Sequence, residues 1–245
     1  MIDIHAHILP SLDDGPKTIE ESIEMCKVAA SDGISTIVAT PHSKDGVYEA
    51  KGENILKAVE ALNLELQEAC IDLKILPGAE LHVNERLLEG IENGDALTIN
   101  NNRKHILLEL PFFFIPPGTE RLIFNIQSLG IIPIIAHAER TSFFQKNPKS
   151  LEKLVDSGVM VQVTAQSITG FFGSRERKCA ERFLKRKIVH FIASDAHSTR
   201  NRPPILSKAL EKASQIIGKE EAEDLVFKNP REIVTLQTEA KEDTG

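Results

Sequence analysis

The chain has 245 residues, 41% hydrophobic and 27% charged, enough for one large α/β domain with a sizeable core. A formal net charge of −7 argues against a nucleic-acid partner held by a basic surface. The three scattered cysteines, Cys26, Cys70 and Cys179, argue against a disulfide framework or a thiolate-rich zinc knuckle, and no apolar run approaches the roughly 20 residues of a membrane span. No basic region followed by an apolar stretch opens the chain, so the expectation is a cytoplasmic protein without membrane insertion.

The opening MIDIHAH reads as a strand, whose alternation puts His5 and His7 on one face. A helix follows to about Gly33, with Thr18 as N-cap and Glu21 reaching back in a capping box. ISTIVATPH (34–42) is the second strand, roughly 51–70 a helix, and LKILPGAEL (73–81) the third strand. The stretch 82–104 is polar and less regular. HILLELP (105–111), a helix near 118–129 and IIPIIAHAE (131–139) come next. Asn147 and Pro148 read as N-cap and first residue of a helix to about Ser157. VMVQVTAQ (159–166), a helix near 174–186 and VHFIASDAH (189–197) complete seven strands. Helices over roughly 203–215 and 219–227 follow, and 236–245 is a polar tail. This alternation predicts parallel strands in a single α/β domain over 1–235. It fits an open doubly wound sheet and a closed barrel equally.

Parallel α/β folds gather their chemistry at the C-terminal ends of the strands. Six of the seven runs end in histidine or a carboxylate: His5 and His7, His42, Glu80, Glu109, His137, then Asp195 and His197. Asp14 lies in the loop after the first. Singly, each reads as a structural histidine or the solvated end of a strand. Together they would repel one another or resist desolvation, and divalent cations remove both problems. Imidazole with carboxylate suits zinc, manganese or iron, and the donors exceed the needs of one ion. His82, His105 and His190 lack this placement and read as structural or surface residues. Asp13 reads as a turn residue before Gly15.

MIDIHAH, TPH, GAE, AHAER and SDAH, in this order, resemble the PHP (polymerase and histidinol phosphatase) superfamily of metal-dependent phosphoesterases, from residue 1 to about 235. Within it, D-D-G-P-K-T-I-E-E-S after the first strand and R-P-P after SDAH resemble the bacterial manganese-dependent protein-tyrosine phosphatases of capsular and exopolysaccharide loci. The resemblance implies a distorted (β/α)7 TIM-like barrel of PHP type. It also implies two or three divalent cations, manganese first, with iron or zinc as alternatives. By matching motif, His5, His7, Glu80 and Asp195 would hold the first ion. Glu80 would bridge to a second, held also by Glu109 and His137, and Asp14, His42 and His197 would hold the third. Arg140 and Arg202 would clamp the phosphate, although Arg200 in the same loop competes with Arg202. Asp195 is a candidate proton donor as well as a ligand.

The implied reaction is hydrolysis of phosphotyrosine by a metal-bridging hydroxide. The implied substrate is a protein, such as a membrane-associated bacterial tyrosine autokinase regulating polysaccharide synthesis. Cysteine-based tyrosine phosphatases place an arginine six residues after the cysteine, whereas here those positions hold Asp32, Leu76 and Lys185. Three alternatives stay open: a small-molecule phosphatase of histidinol-phosphate or nucleotide type, a non-catalytic metal-binding regulator, and a plain metal-free α/β binding domain. The loops S-K-D-G-V-Y-E-A and P-F-F-F-I-P-P-G depart from a fixed motif and would rim the site. Their Tyr48, Phe112, Phe113 and Phe114 either pack a substrate ring or lie in the core.

Overall fold

Short β-branched runs pair side by side while longer amphipathic segments cover them. The computed structural model describes residues 1–43, 46–48 and 50–235. Lys44, Asp45 and Glu49 of the loop after His42, and the expected tail 236–245, lie outside the described residues. The strands are β1 (Ile2–Ala6), β2 (Thr36–Ala39), β3 (His42–Ser43), β4 (Lys74–Pro77), β5 (Glu80–His82), β6 (His105–Glu109), β7 (Ile132–Ile135), β8 (Met160–Thr164) and β9 (Phe191–Ala193). All pair in parallel, in the orders β1-β2-β4 and β3-β5-β6-β7-β8-β9.

Two of the expected strands are therefore each broken in two. The run 34–42 breaks before Pro41, which has no N–H to give a ladder. The run 73–81 breaks at Gly78, where a Cβ would lie 2.8 Å from Val38 Cγ1. At both breaks the chain passes from the first sheet to the second. The whole is a mixed α/β fold with a curled parallel sheet. Its outer edges meet where His7 N donates to Ala196 O and Asp195 N donates to His5 O, both at 2.8 Å.

The curl separates two apolar groups. Ile37, Ala39, Ile75, Ile106, Leu108, Ile135, Val161 and Val163 pack outward against helices. Ile2, Ile4, Val38, Leu76, Leu107, Ile134 and Phe191 pack inside. Along β1, Ile4 belongs to the inner group but Ala6 to the outer one. Simple alternation forbids this; a register irregularity between Asp3 and Ala6 produces it. That flip leaves His5 and His7 above the inner floor.

Helix Ile19–Ser31 starts at Thr18, whose side chain accepts from Glu21 N at 3.3 Å. The Glu21 carboxylate reaches Lys17 N at 2.6 Å rather than Thr18 N, so the capping box is shifted by one residue. Asn147 does precede helix Pro148–Asp156, but its side chain donates to Phe143 O of the preceding turn, not to its own helix. Helix Ser207–Ile217 starts later than expected, and Lys219–Asp224 is shorter. A further helix, Lys228–Thr235, carries Ile233 and Val234 into the inner floor, where Asn102 and Asn100 hold their carbonyls at 2.9 and 2.8 Å. The 82–104 stretch contains the short helix Leu87–Glu92.

His105 opens β6 and is only 4% exposed. Burial, then neighbouring Lys104, pulls its imidazole down to about 4. An unfolded chain protonates it near pH 6.5, at roughly the ordinary value. Between about 6.5 and 4 the unfolded state therefore binds more protons from this group, and its contribution favours folding increasingly as pH rises through that window. The buried Asp3 carboxyl, raised to about 6 by burial, acts in the opposite direction. The expected outcome is that His105→Gln loses less stability than the parent between pH 6.5 and 4, read by urea unfolding across pH.

Candidate metal centre

Strand register assembles the centre. His42 pairs with Glu80 across β3 and β5, and His82 pairs with Glu109 across β5 and β6. Glu80, 1% exposed, is the hub. Its Oε1 lies 2.8 Å from His137 Nε2 and 3.4 Å from His5 Nε2. Its Oε2 lies 3.3 Å from His7 Nε2 and 3.2 Å from His42 Nδ1. Asp195 Oδ1 is 3.4 and 3.5 Å from the Nε2 atoms of His5 and His7. Glu109 adds Oε1 at 3.6 Å from His137 Nε2 and Oε2 at 3.7 Å from His42 Nδ1. Asp14 Oδ1 is 3.2 Å from His197 Nε2 and 3.8 Å from His42 Nε2.

All nine candidate ligands thus meet in one mouth. Three sets have donor atoms within 4.8 Å of one another: His5, His7 and Glu80; His42, Glu80 and Glu109; and His7, Asp14, His42 and His197. The third set joins His7 to the trio expected there, and the second contains His42 where His137 was expected. The buried Nδ1 of His42 has no hydrogen-bond partner although it faces two carboxylates. An unpaired imidazole nitrogen among carboxylate oxygens, with no thiolate nearby, is a donor set that fits divalent manganese, iron or zinc.

Residues set aside in the sequence hold these ligands in place. Asp13 accepts from His7 Nδ1 at 2.6 Å, from His42 N at 3.0 Å and from Gly15 N at 2.8 Å. With Nδ1–H directed at Asp13, the nitrogen of His7 left to face the cluster is Nε2, which offers a lone pair once it gives up its proton. Gln162 Oε1 lies 3.2 Å from His5 Nδ1 and accepts from His137 N at 2.8 Å. It therefore does for His5 what Asp13 does for His7. His197 Nδ1 donates to Asp195 O at 3.0 Å. His137 and Asp195 both adopt left-handed backbone, with φ of 32° and 52°. His82, read as peripheral, brings Nδ1 to 3.4 Å from Glu109 Oε2. Asp13 had a signal, the doubled carboxylate of DDG; Gln162 had one too, a lone amide inside an apolar strand.

The arginines flank the cluster on one side. Arg140 donates to Asp195 Oδ2 at 2.8 Å, and Arg202 pairs with the same oxygen. Arg202, not the exposed Arg200, reaches this point. The Arg140 guanidinium lies 4.7 Å from the centre of the Phe112 ring and 4.6 Å from that of Phe172.

Burial opposes charge on both His5 and His7. Glu80 and Asp195 nevertheless raise His5, while Asp13 and Glu80 hold His7 well above the ordinary imidazole value. Burial is the largest influence on Glu80 and Asp195 and opposes their ionisation, but His5 together with His137 at Glu80, and His5 together with Arg202 and His137 at Asp195, outweighs it, and both carboxyls stay well below their usual range. Asp14 is held low by the hydrogen bond from His197. Burial and then His7 lower His197.

A cation bound at His5 and His7 would compete with the protons that the neighbouring carboxylates favour on these imidazoles. Its affinity therefore rises with pH as these imidazoles deprotonate. Titrating EDTA-treated protein with Mn²⁺ in buffers of different ionisation heats is expected to show proton release near pH 7. Asp13→Asn is expected to weaken Mn²⁺ binding by about 10–100-fold in the same calorimetry. An unchanged affinity would remove Asp13 from this role.

Residues 1–235 match the family described as capsular polysaccharide synthesis, CpsB/CapC. The tyrosine-protein phosphatase YwqE of Bacillus subtilis is 38% identical over 220 residues, 90% of this chain and 86% of that protein. The tyrosine-protein phosphatase CpsB of Streptococcus pneumoniae is 34% identical over 242 residues, 97% of this chain and 99% of that one. A crystal structure from work on YwqE and CpsB, described as unique metal-dependent tyrosine phosphatases, superposes with a TM-score of 0.92 at 36% identity, covering 97% of this chain and 96% of its own. A β-aspartyl dipeptidase of Fervidobacterium islandicum shares the fold alone, with a TM-score of 0.55 at 15% identity over 95% of this chain and 72% of its own. The chain belongs to the CpsB/CapC family of capsular polysaccharide synthesis proteins.

Proposed function

We propose that this chain is a metal-dependent protein-tyrosine phosphatase. The observation that carries the reading is a histidine and carboxylate cluster flanked on one side by two guanidinium groups that share the Asp195 carboxylate. Such a pairing suits a phosphate ester, with cations on one side and arginine forks on the other. The relatives' names, tyrosine-protein phosphatases in each case, favour phosphotyrosine over histidinol phosphate or a nucleotide.

In this reading His5, His7, Glu80 and Asp195 hold one cation, Glu80, Glu109 and His137 a second, and Asp14, His42 and His197 a third, with manganese the first choice. When bound, the cations acidify water and stabilise negative charge at phosphorus. Arg140 and Arg202 hold and orient the phosphoryl oxygens. Asp195 anchors both arginines. Its carboxyl stays ionised beside His5 and Arg202, so it serves as an acceptor and an anchor rather than as a proton donor. A phenol, with a pKa of about 10, leaves without strong acid assistance. Burial pushes the Cys26 and Cys179 thiols up to about 12 and 11, which supports a route without a cysteine nucleophile.

The finer fold reading is a distorted (β/α)7 barrel, with β2–β3 and β4–β5 each counted as one broken strand. The hydrogen bonds between β1 and the segment after β9 support it. The substrate in this reading is a phosphotyrosine protein, such as a membrane-associated tyrosine kinase, met from the cytoplasm. No helix among the described residues is long and apolar enough to cross a membrane.

The test is hydrolysis of a phosphotyrosine peptide beside histidinol phosphate, with Mn²⁺ and with EDTA. Peptide turnover is expected to need Mn²⁺ and to be abolished by EDTA. Arg140→Ala is expected to lower kcat/KM by about 10²–10³-fold, the scale of one lost donor to developing charge. Turnover of histidinol phosphate alone would move the function to metabolism. Bound metal without turnover of either would favour the regulator.

A further inference from the structure

Two loops far apart in sequence bring phenylalanines to the same place. The loop after β6 carries Phe112, Phe113 and Phe114, and the turn after helix Ala165–Thr169 carries Phe171 and Phe172. In each loop one ring turns inward to Arg140 and its neighbour faces water. Phe112 and Phe172 both contact the guanidinium, at 4.7 and 4.6 Å, while Phe113 is 85% and Phe171 60% exposed.

The backbone beside the outward rings is held, and the Phe171 ring lies 5.5 Å from that of Phe172. Ser142 N donates to Phe112 O at 2.6 Å, and Ser142 Oγ donates to Phe113 O at 3.0 Å. Phe171 N donates to Gln166 O at 2.9 Å. Gly170 and Gly173 bracket the second pair with φ of +90° and +113°, backbone that side chains with a Cβ rarely adopt. Exposed rings on a held backbone carry an unrealised hydrophobic gain.

The inner rings connect this patch to the chemistry. Phe112 lies 5.3 Å from the His137 ring, and Phe172 has Arg140 on one contact and Arg202 on another at 5.9 Å. A phosphoryl group held by both arginines would have the Phe112 and Phe172 rings close by. A phenyl group joined to that oxygen finds aromatic edges and faces to pack on; an alkyl group has no flat face to offer.

Building on the phosphotyrosine reading, we infer that Phe113 and Phe171, with Phe112 and Phe172 behind them, form an aromatic collar that receives the phenyl ring of the substrate and sets a preference for aryl over alkyl phosphate esters. Phe113 and Phe171 determine specificity; Phe112 and Phe172 also position Arg140.

Non-hydrolysable probes separate these roles. The Mn²⁺-loaded full chain is titrated calorimetrically with phenylphosphonate and with methylphosphonate, which share the phosphonate and differ in the ring. The parent is expected to bind phenylphosphonate about 10-fold more tightly, in the range of one aromatic packing interaction. Phe113→Ala with Phe171→Ala is expected to bring that ratio close to one with methylphosphonate affinity retained. Both side chains are exposed, so the fold is not at stake. Phe124→Ala, on an exposed ring of helix Thr119–Ser128, is the control and is expected to keep the ratio. No preference in the parent, or equal weakening of both probes in the double variant, overturns the collar. A preserved ring preference in a chain that does not hydrolyse phosphotyrosine peptide would instead sink the functional reading and leave the collar standing.

Discussion

A carboxylate almost sealed from water is the central electrostatic problem of this molecule. Glu80 is 1% exposed and faces His5, His7, His42 and His137. A buried charge without compensation costs several kcal/mol, so the surrounding groups must answer it together. Imidazoles answer it by taking protons, and divalent cations answer it by taking the imidazole lone pairs instead. The register of β3, β5 and β6, the flip in β1 and the left-handed turns at His137 and Asp195 all deliver donors to this carboxylate. The fold is in this sense a frame for one charge.

Asp195 then divides the mouth in two. One oxygen faces His5 and His7; the other binds Arg140 and Arg202. A single planar carboxylate thus spaces the imidazole side from the guanidinium side. Contact with the Phe112 and Phe172 rings limits the freedom of Arg140 further.

The strand ends were legible because parallel pairing with helical crossovers leaves one end of every strand for chemistry, and the histidines fall there. The breaks at Pro41 and Gly78 were harder to read, although each residue is a poor ladder member, because whether a strand breaks depends on what passes over it. Here that is Val38. The β1 flip was invisible: Ile2, Ile4 and Ala6 share a parity, and only pairing with β2 reveals the irregularity. Asp13 was read as a turn residue, and one of its oxygens does hold Gly15 N; the other holds His7, which no local pattern announces. Phe172 lies far in sequence from Arg140, and their contact follows from loop placement alone.

The two hydrogen bonds between β1 and the Asp195–Ala196 segment also order events during synthesis. A ribosome delivers His5 and His7 first and Asp195 and His197 only after the intervening sheet has emerged. Until then the two leading histidines lack the carboxylate and the edge that complete their surroundings. The surroundings of His5 and His7 are therefore closed last, by the segment that carries Asp195 and His197.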